Sequence, residues 1–248
     1  MNTSKIEKNG KIYMLAYDQG LEHGPTDFND INCNPNFIVR VAIESGASCI
    51  AMHYGMAKQV YTKEILSKIP LILKLNGKTK LNKKNYISAV TGAVEDAVNF
   101  GAVGIGFTIN PGQDEEQVAY SQFATLRREA EKAGLITILW SYARGPEIPN
   151  QFDKDIVAYS ARTAAELGAD IAKVKYTGDP STFSWAVKVA GNTKVLASGT
   201  DNFPADYLNG VKEMLSSGAA GIAVGRKVWQ NVGAIELGKQ LAEVVYNF

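Results

Sequence analysis

The sequence predicts a single-domain (β/α)8 barrel, the TIM-barrel fold, over residues 1–248. Short apolar segments recur along the chain, amphipathic segments of helical length lie between most of them, and a glycine precedes many of them. A closed α/β barrel typically needs about 250 residues, close to the length of this chain. An open doubly wound sheet is the alternative, but no Gly-x-Gly-x-x-Gly follows the first apolar segment.

The apolar segments are the predicted strands. Several are apolar at consecutive positions, as parallel strands buried on both faces are. They cover residues 12–16, 48–52, 71–75, 103–109, 136–140, 171–176, 194–197 and 221–224.

The amphipathic segments are predicted to be the helices that connect these parallel strands. They include residues 36–45, 90–99, 115–133, 154–166 and 206–217. Glycine suits a helix C-terminal cap in the left-handed conformation, and a glycine precedes five of the strands, at Gly46, Gly101, Gly134, Gly168 and Gly218. Residues 77–86 and 144–154 are predicted loops at the barrel rim, where enzymes of this fold place their active sites.

Composition and charge narrow the class of protein. The chain is 46% apolar and 21% charged with a net charge of +1, which is typical of a globular protein and gives no electrostatic reason to expect a nucleic acid or a membrane as partner. The polar N-terminus lacks the apolar run of a signal peptide, and no apolar stretch reaches the roughly 18 residues of a membrane helix, so a cytoplasmic protein is expected.

The cysteines and histidines predict no metal site, and no cofactor is expected. Cys33 and Cys49 are too far apart for a Cys-x-x-Cys pair, and the chain has two histidines, His23 and His53. A structural zinc site needs four such ligands at closer spacing.

Lys173 and Lys175 stand in an otherwise apolar predicted strand. Residues two apart on a strand point to the same face, so both amines face the barrel interior if Ala172 and Val174 face the helices. Two buried like charges disfavour each other's protonation, and one neutral amine near pH 7 is what a Schiff-base lysine requires. The alternative is that one lysine extends to the rim while the other pairs with a carboxylate.

Asp18 ends the first predicted strand, and His23 follows in the same loop. A carboxylate at the C-terminal end of a barrel strand is typical of a catalytic residue. Asp18 could accept a proton, hold a substrate hydroxyl or pair with Lys173; its alternative role is to cap the following turn. His23 either binds substrate or hydrogen-bonds within its loop.

Trp140 and Tyr142 share a face at the end of the fifth predicted strand. A tyrosine hydroxyl in a dry pocket can act as an acid or a base, and the alternative is a core aromatic pair with its hydroxyl satisfied. Arg144 follows, either as a ligand of a phosphate group or as a solvated loop residue.

Glycine-containing turns follow the last two predicted strands, at Ser198-Gly199-Thr200 and at Gly225-Arg226. Loops after strands seven and eight of this fold frequently bind phosphate. Glycine lets backbone N–H groups approach the anion, and the N-terminus of the next helix attracts it. Ordinary tight turns are the alternative.

Long, specific motifs extend from the first strand to the last helix. They occupy residues 15–25, 71–79, 140–142, 173–179, 183–188 and 224–230. Together they resemble the archaeal-type class I fructose-bisphosphate aldolases, which form Schiff bases and belong to the same superfamily as deoxyribose-phosphate aldolase.

The resemblance implies roles for individual residues. It implies that Lys173 is the Schiff-base lysine, that Tyr142 is the acid/base and that Asp18 is the active-site aspartate. Trp140 would line the pocket, and Lys175 would favour the neutral form of Lys173. The choice of Lys173 over Lys175 comes from the resemblance alone. It further implies a sugar phosphate as substrate, a homo-oligomer, and phosphate binding by Ser198, Gly199, Gly225 and Arg226.

Two positions depart from the family pattern. Gln19 stands where many relatives have histidine, and Thr200 stands where many have a glycine of the phosphate loop. A sister branch, the 2-amino-3,7-dideoxy-D-threo-hept-6-ulosonate synthases, more often has a short polar residue at the position of Lys175. The lysine therefore favours a glycolytic or gluconeogenic role.

The sequence thus predicts reversible cleavage of fructose 1,6-bisphosphate into dihydroxyacetone phosphate and glyceraldehyde 3-phosphate. The sister synthase reaction, or that of another sugar-phosphate aldolase or transaldolase, would keep the Schiff base and change the substrate. A barrel that binds a sugar phosphate without turnover is the third hypothesis, which the combination of Lys173, Tyr142 and Asp18 disfavours.

Overall fold

The computed structural model describes residues 3–81, 87–199 and 206–248, and within these ranges eight parallel strands close into a barrel. The barrel strands are β1 (Ile12–Tyr17), β2 (Cys49–His53), β3 (Leu71–Lys74), β6 (Gly104–Ile109), β7 (Ile136–Ser141), β8 (Ile171–Lys175), β9 (Lys194–Ser198) and β10 (Gly221–Val224), while β4 (Asn76–Gly77) and β5 (Ala89–Val90) lie outside the barrel. The order around the barrel is β1–β2–β3–β6–β7–β8–β9–β10, and β10 pairs with β1.

Helices surround the barrel and connect its strands. They are α1 (Gln19–His23), α2 (Pro35–Glu44), α3 (Tyr54–Val60), α4 (Lys63–Lys68), α5 (Val94–Phe100), α6 (Glu116–Lys132), α7 (Lys154–Glu166), α8 (Pro180–Val189), α9 (Tyr207–Ser216), α10 (Arg226–Trp229) and α11 (Ala234–Tyr246). Among the residues described, no helix has both the length and the apolar character to cross a membrane.

The predicted fold class is confirmed, and each predicted barrel strand is found with ends that differ by at most one residue. The cap glycines are confirmed as well. All five have left-handed backbone conformations, with φ between 70° and 92°, which glycine adopts without the steric cost that a side chain adds.

The loop predicted at residues 77–86 differs from the structure at its first residue, because Gly77 belongs to a strand, whereas residues 78–81 lie outside helices and strands as predicted. Asn76–Gly77 (β4) pairs antiparallel with Ala89–Val90 (β5) in a small hairpin outside the barrel, and residues 82–86 lie outside the described ranges. The helix predicted to begin at residue 90 begins at Val94 instead, because β5 occupies residue 90 and the carboxylate of Asp96 accepts the Ala93 N–H at 2.8 Å. The loop predicted at residues 144–154 is confirmed up to Asp153, whose carboxylate caps the N-terminus of α7.

Side-chain alternation along β8 determines which of its side chains face the barrel interior. Ala172 and Val174 point outwards into the apolar layer beneath the helices, and Ile171 points inwards with the interior residues of the other strands. Lys173 and Lys175 therefore face inwards at the C-terminal end of the strand, where both line a pocket. The prediction that both amines share the interior face is confirmed.

Candidate active site

A pocket opens at the C-terminal ends of the barrel strands. Every residue that the sequence predicts for the site lines it: Asp18, His23, Trp140, Tyr142, Arg144, Lys173, Lys175, Ser198, Gly199, Gly225 and Arg226. Thr200, the departure in the phosphate loop, lies outside the described residues. The closure of the barrel thus brings together side chains from positions 18 to 226.

Trp140 forms the deep wall of this pocket. The Nζ atom of Lys173, whose residue is 4% exposed, lies 4.8 Å from the centroid of the Trp140 ring, and the Nζ atom of Lys74 lies 5.3 Å from it. The Trp140 Nε1 atom is buried and has no hydrogen-bond partner in the described part of the chain. Leaving a buried donor unpaired is costly, so this N–H is available to an oxygen atom of a ligand.

Tyr142 lies nearer the rim and has its own cationic neighbours. The Nζ atom of Lys175 is 5.1 Å from the Tyr142 ring centroid, and the guanidinium carbon of Arg144 is 5.9 Å from it. The backbone at Tyr142 is held in place by Asn110, whose Nδ2 donates to the Tyr142 carbonyl oxygen at 2.6 Å. The pocket therefore has a deep layer around Trp140 and an outer layer around Tyr142.

Lys74, at the end of β3, is a buried lysine that the sequence prediction does not include. It is 3% exposed, and its Nζ donates to the backbone oxygen and to the side-chain Oδ1 of Asn76, both at 2.7 Å. Burial lowers the pKa of Lys74 to about 7; the negative charge of Asp18 opposes this decrease and the charge of Lys173 adds to it. A titrating amine therefore lies in the deep layer beside Lys173.

The signal for Lys74 is present in the sequence. Ile72 and Lys74 repeat on β3 the pattern of Ile171 and Lys173 on β8, with an apolar residue followed two positions later by a lysine. Because such residues share a face, the argument that places Lys173 in the barrel interior applies equally to Lys74.

Asp18 directly follows β1 and occupies the N-terminal cap position of α1, yet its side chain makes no capping hydrogen bond. Its alternative role as a turn cap is therefore not supported. Its negative charge instead raises the pKa of Lys74 and of His53.

His53 is a second pocket residue that the sequence prediction does not include. It hydrogen-bonds to the backbone of Asp18 and Lys74, and its pKa is lowered to about 4, mainly by burial and to a smaller extent by the charge of Lys74. The ring is therefore neutral at pH 7.

An ion pair joins two loops at the mouth of the pocket. The Arg144 Nη1 lies 3.0 Å from the Glu22 Oε1, so Arg144 is ion-paired and partly buried rather than solvated. Burial would raise the pKa of Glu22, but the Arg144 guanidinium holds it below its ordinary value. The Lys80 N–H donates to the Glu22 carbonyl oxygen at 2.9 Å, which attaches the loop after β4 to the same point.

His23 belongs to a second rim cluster. Its Nδ1 hydrogen-bonds to the Asp27 carboxylate, and the Arg226 Nη1 lies 3.5 Å from the Asp27 Oδ2. Burial lowers the pKa of His23, and the hydrogen bond with Asp27 opposes that decrease. The hydrogen bond of His23 is thus within its own loop, while its ring still lines the pocket. The cluster connects the loop after β1 to the turn after β10.

The two predicted phosphate turns lie side by side at the ends of β9 and β10. The Ser198 Oγ donates to the Val174 carbonyl oxygen at 2.8 Å, so this hydroxyl is used within the barrel wall. Position 225 requires glycine because neighbouring atoms pack closely against its backbone. A Cβ there would lie 2.5 Å from the Gln19 Nε2 and 2.6 Å from the Ala16 carbonyl oxygen. The backbone at these turns is therefore what a ligand can approach.

The fold and the site together define a class of enzyme, a parallel (β/α)8 barrel whose C-terminal pocket holds buried lysines suited to carbonyl chemistry. The profile of the DeoC/LacD family aldolases matches residues 12–231. Because this match covers most of the chain, the chain belongs to that family.

Within this family, the chain is clearly similar to archaeal fructose-bisphosphate aldolases. The chain is 46% identical to a fructose-bisphosphate aldolase class 1 from Thermoproteus tenax over 243 residues, covering 96% of this chain and 91% of the relative. A crystal structure of an archaeal fructose 1,6-bisphosphate aldolase aligns with a TM-score of 0.92 and 45% identity, covering 97% of this chain and 95% of that one. An archaeal aldolase structure with its catalytic lysine covalently bound to the carbinolamine intermediate aligns with a TM-score of 0.91 and 45% identity, over 96% and 95% of the two chains. The resemblance found in the sequence is confirmed.

Gly106 makes room for the deep layer, and its replacement by alanine tests that arrangement. A Cβ at position 106 would lie 2.5 Å from the Trp140 Cζ3 and 3.1 Å from the Lys74 Cδ. Overpacking a core in this way typically costs about 1–3 kcal/mol. We expect Gly106→Ala to lower the free energy of unfolding by that amount, measured by denaturant titration, and to reduce activity.

The matched control is Gly55→Ala in α3, where an added Cβ meets nothing within 4 Å. This variant should keep the activity and at least the stability of the wild type. A Gly106→Ala protein as stable and as active as the Gly55→Ala protein would contradict the proposed packing.

Proposed function

We propose that this protein is a class I fructose-bisphosphate aldolase, which reversibly cleaves fructose 1,6-bisphosphate into dihydroxyacetone phosphate and glyceraldehyde 3-phosphate through a Schiff base. The observation that carries the proposal is the placement of Lys173, buried in the pocket against Trp140 and next to a second buried amine. The relatives named above as fructose-bisphosphate aldolases support the same reaction.

The charges of the pocket support a substrate with a phosphate group at each end. Gly199, Gly225 and Arg226 lie at the ends of β9 and β10, while Arg144 and Lys175 lie on the outer layer after β7 and β8. Backbone N–H groups beside glycine and guanidinium groups both bind phosphate. The sugar carbons would then pass along Trp140, whose Nε1 is available to a hydroxyl or carbonyl oxygen.

The first half of the reaction takes place at Lys173. The Lys173 nitrogen attacks the ketone carbon through its lone pair and gives a carbinolamine, and loss of water gives an iminium. The iminium withdraws electrons from the neighbouring bonds and so does the work of a Lewis acid. Asp18 lies close enough to Lys74 and His53 to act on their charges, and we assign it the orientation of a substrate hydroxyl in the deep layer.

The second half is assigned to Tyr142. Its side chain lies between the deep layer and the cations Lys175 and Arg144, where the far part of a substrate bound to Lys173 would extend. Tyr142 takes the proton of the C4 hydroxyl as a phenolate, the C3–C4 bond breaks, and the electron pair moves into the enamine on Lys173. The phenol of Tyr142 then gives this proton to C3 of the enamine and returns to the phenolate. Protonation of the enamine and hydrolysis then release dihydroxyacetone phosphate.

The cellular context of this enzyme remains a proposal. Family membership and a sugar-phosphate substrate are consistent with a glycolytic or gluconeogenic enzyme of the cytoplasm. A homo-oligomer and a single domain over residues 1–248 remain predictions from the sequence.

Borohydride trapping tests the Schiff base directly. We expect fructose 1,6-bisphosphate and borohydride to leave a reduced sugar-phosphate adduct on the peptide that contains Lys173, because an iminium is reduced to a stable amine. Lys173→Met should give no adduct, whereas Lys132→Met, which removes an exposed lysine of α6, should give the wild-type yield. Peptide mass mapping makes the measurement.

Each of the other possible outcomes would refute a specific part of the proposed reaction. An adduct on Lys74 or Lys175 would keep the mechanism and refute the residue. An adduct with a different ketose phosphate only would refute the substrate. The absence of any adduct would favour a barrel that binds sugar phosphates without turnover.

Tyr142→Phe separates bond cleavage from Schiff-base formation. Loss of a general acid–base group typically costs about 10²–10⁴-fold in rate, so the cleavage rate should fall within that range while dihydroxyacetone phosphate is still trapped on Lys173. Tyr159→Phe, at an exposed tyrosine of α7, is the control and should cleave at the wild-type rate. Unchanged cleavage in Tyr142→Phe would reject the assignment.

A further inference from the structure

A carboxylate lies among the cations at the mouth of the pocket, and the reaction described above does not use it. Glu22, on α1, lines the pocket together with Arg144 and Lys78. The Arg144 Nη1 donates a hydrogen bond to the Glu22 Oε1 at 3.0 Å, across 122 positions of the sequence. This ion pair therefore joins the segment after β1 to the segment after β7 beside the outer layer of the pocket.

Two lysines of the segment after β4 lie near the same carboxylate. Burial raises the pKa of Glu22, but the net direction is downward, because the charges of Arg144, His23 and Lys80 oppose burial. Burial lowers the pKa of Lys78; the charge of Glu22 opposes this decrease, and the charge of Arg144 adds to it. Lys78 and Arg144 thus lie within electrostatic range of Glu22 and of each other.

Backbone contacts hold these lysines next to α1. The Lys80 N–H donates to the Glu22 carbonyl oxygen at 2.9 Å. At position 77 a Cβ would lie 2.4 Å from the Leu21 Cδ2, so the glycine there lets the chain pack directly against α1. Lys78 lies between these two contacts and is therefore held beside Glu22.

The contact with Glu22 leaves most of the Arg144 guanidinium for a ligand. A guanidinium group has five N–H donors, and Glu22 is the residue that accepts from it within the described ranges. The guanidinium carbon lies 5.9 Å from the Tyr142 ring centroid, and the Arg144 backbone N–H donates to the Pro111 carbonyl oxygen at 3.0 Å. The side chain is thus held between Glu22 and Tyr142, and its other donors suit the oxygen atoms of a phosphate group.

We propose that Glu22 is a positioning residue that assembles the subsite for the phosphate group farther from Lys173, and that it thereby makes the enzyme selective for ketose bisphosphates over ketose monophosphates. The carboxylate acts through Arg144 and Lys78, which contact that phosphate. The inference rests on the proposed aldolase reaction and deepens it, because it assigns the discrimination between substrates to a residue that does not touch the reacting atoms.

A carboxylate inside a cationic subsite holds the cations together. Arg144, Lys78 and Lys80 repel one another, and long cationic side chains otherwise extend into water. One negative charge among three positive charges offsets that repulsion and leaves the cluster with a net positive charge for a phosphate dianion. Because the cations are already in place, less side-chain entropy is lost when the phosphate binds.

The test measures kcat and KM of Glu22→Gln with fructose 1,6-bisphosphate and with fructose 1-phosphate, which lacks the distal phosphate group. Glutamine keeps the size of the side chain and removes its charge. We expect KM for the bisphosphate to rise about tenfold, the effect of one hydrogen bond to a charged group. Because the lost interaction affects binding rather than the chemical step, kcat should be unchanged. Both constants for fructose 1-phosphate should stay at the wild-type values.

The matched control is Glu64→Gln, because Glu64 pairs with Lys68 on the exposed surface of α4. This variant should keep the wild-type constants with both substrates. A double variant of Glu22→Gln with Arg144→Gln tests the coupling: its KM should rise by less than the product of the two single effects, because the two residues act as a unit. If Glu22→Gln does not fold, Lys78→Met decides the question, and it should raise KM for the bisphosphate alone.

Four results would overturn the assignment. They are a wild-type KM for the bisphosphate in Glu22→Gln, an equal loss with both substrates, a lower KM, which would mean that the carboxylate repels the phosphate, and an unchanged KM in Lys78→Met. Failure of the proposed function itself is distinguishable, because the wild type would then cleave neither ketose and would form no adduct with dihydroxyacetone phosphate on Lys173.

Discussion

Burial of lysine amines around a single indole ring is the constraint on which the rest of this structure depends. Removing an ammonium group from water is costly unless it is hydrogen-bonded or paired. The fold meets this cost at Lys74 with two oxygens of Asn76, and the negative charge of Asp18 favours the protonated amine. As a result, the pKa of the Lys74 amine is about 7, in a pocket that is also lined by Trp140.

The chemistry and the recognition of substrate are supported by different parts of the scaffold. Lys173, Trp140 and Lys74 lie on strands of the barrel, whose closed hydrogen-bond ladder holds them in place. The rim loops are held to one another by the Glu22–Arg144 ion pair and by the cluster of Asp27 with its neighbours. Sites on regular elements are positioned more accurately than sites on loops, so the Schiff-base step falls where the scaffold is most rigid.

Local patterns were sufficient to predict much of this fold and site. Strand positions follow from apolar segments, the glycine caps from left-handed helix ends, and the inward direction of Lys173 and Lys175 from the period of two along β8. The role of Tyr142 came from resemblance rather than from any pattern. The same period applies to Lys74, yet a lone lysine in an apolar strand is a weaker signal than a pair.

Other features depend on contacts between distant residues and could not be read from short segments. The β4–β5 hairpin exists because Asn76 and Val90 meet across a loop. His53 acquires its low pKa only when the barrel buries it beside Lys74, and the Asp27–Arg226 contact joins the segments that follow the first and last strands of the barrel. Each of these requires the closed tertiary structure.

The most direct test of the account is a crystal structure of the protein flash-cooled after soaking with dihydroxyacetone phosphate. We predict continuous density from the Lys173 Nζ to the ketone carbon, with the Trp140 Nε1 about 3 Å from an oxygen atom of the intermediate, the distance of a normal hydrogen bond. Covalent density on another lysine, or an intermediate bound outside the layer around Trp140, would contradict it.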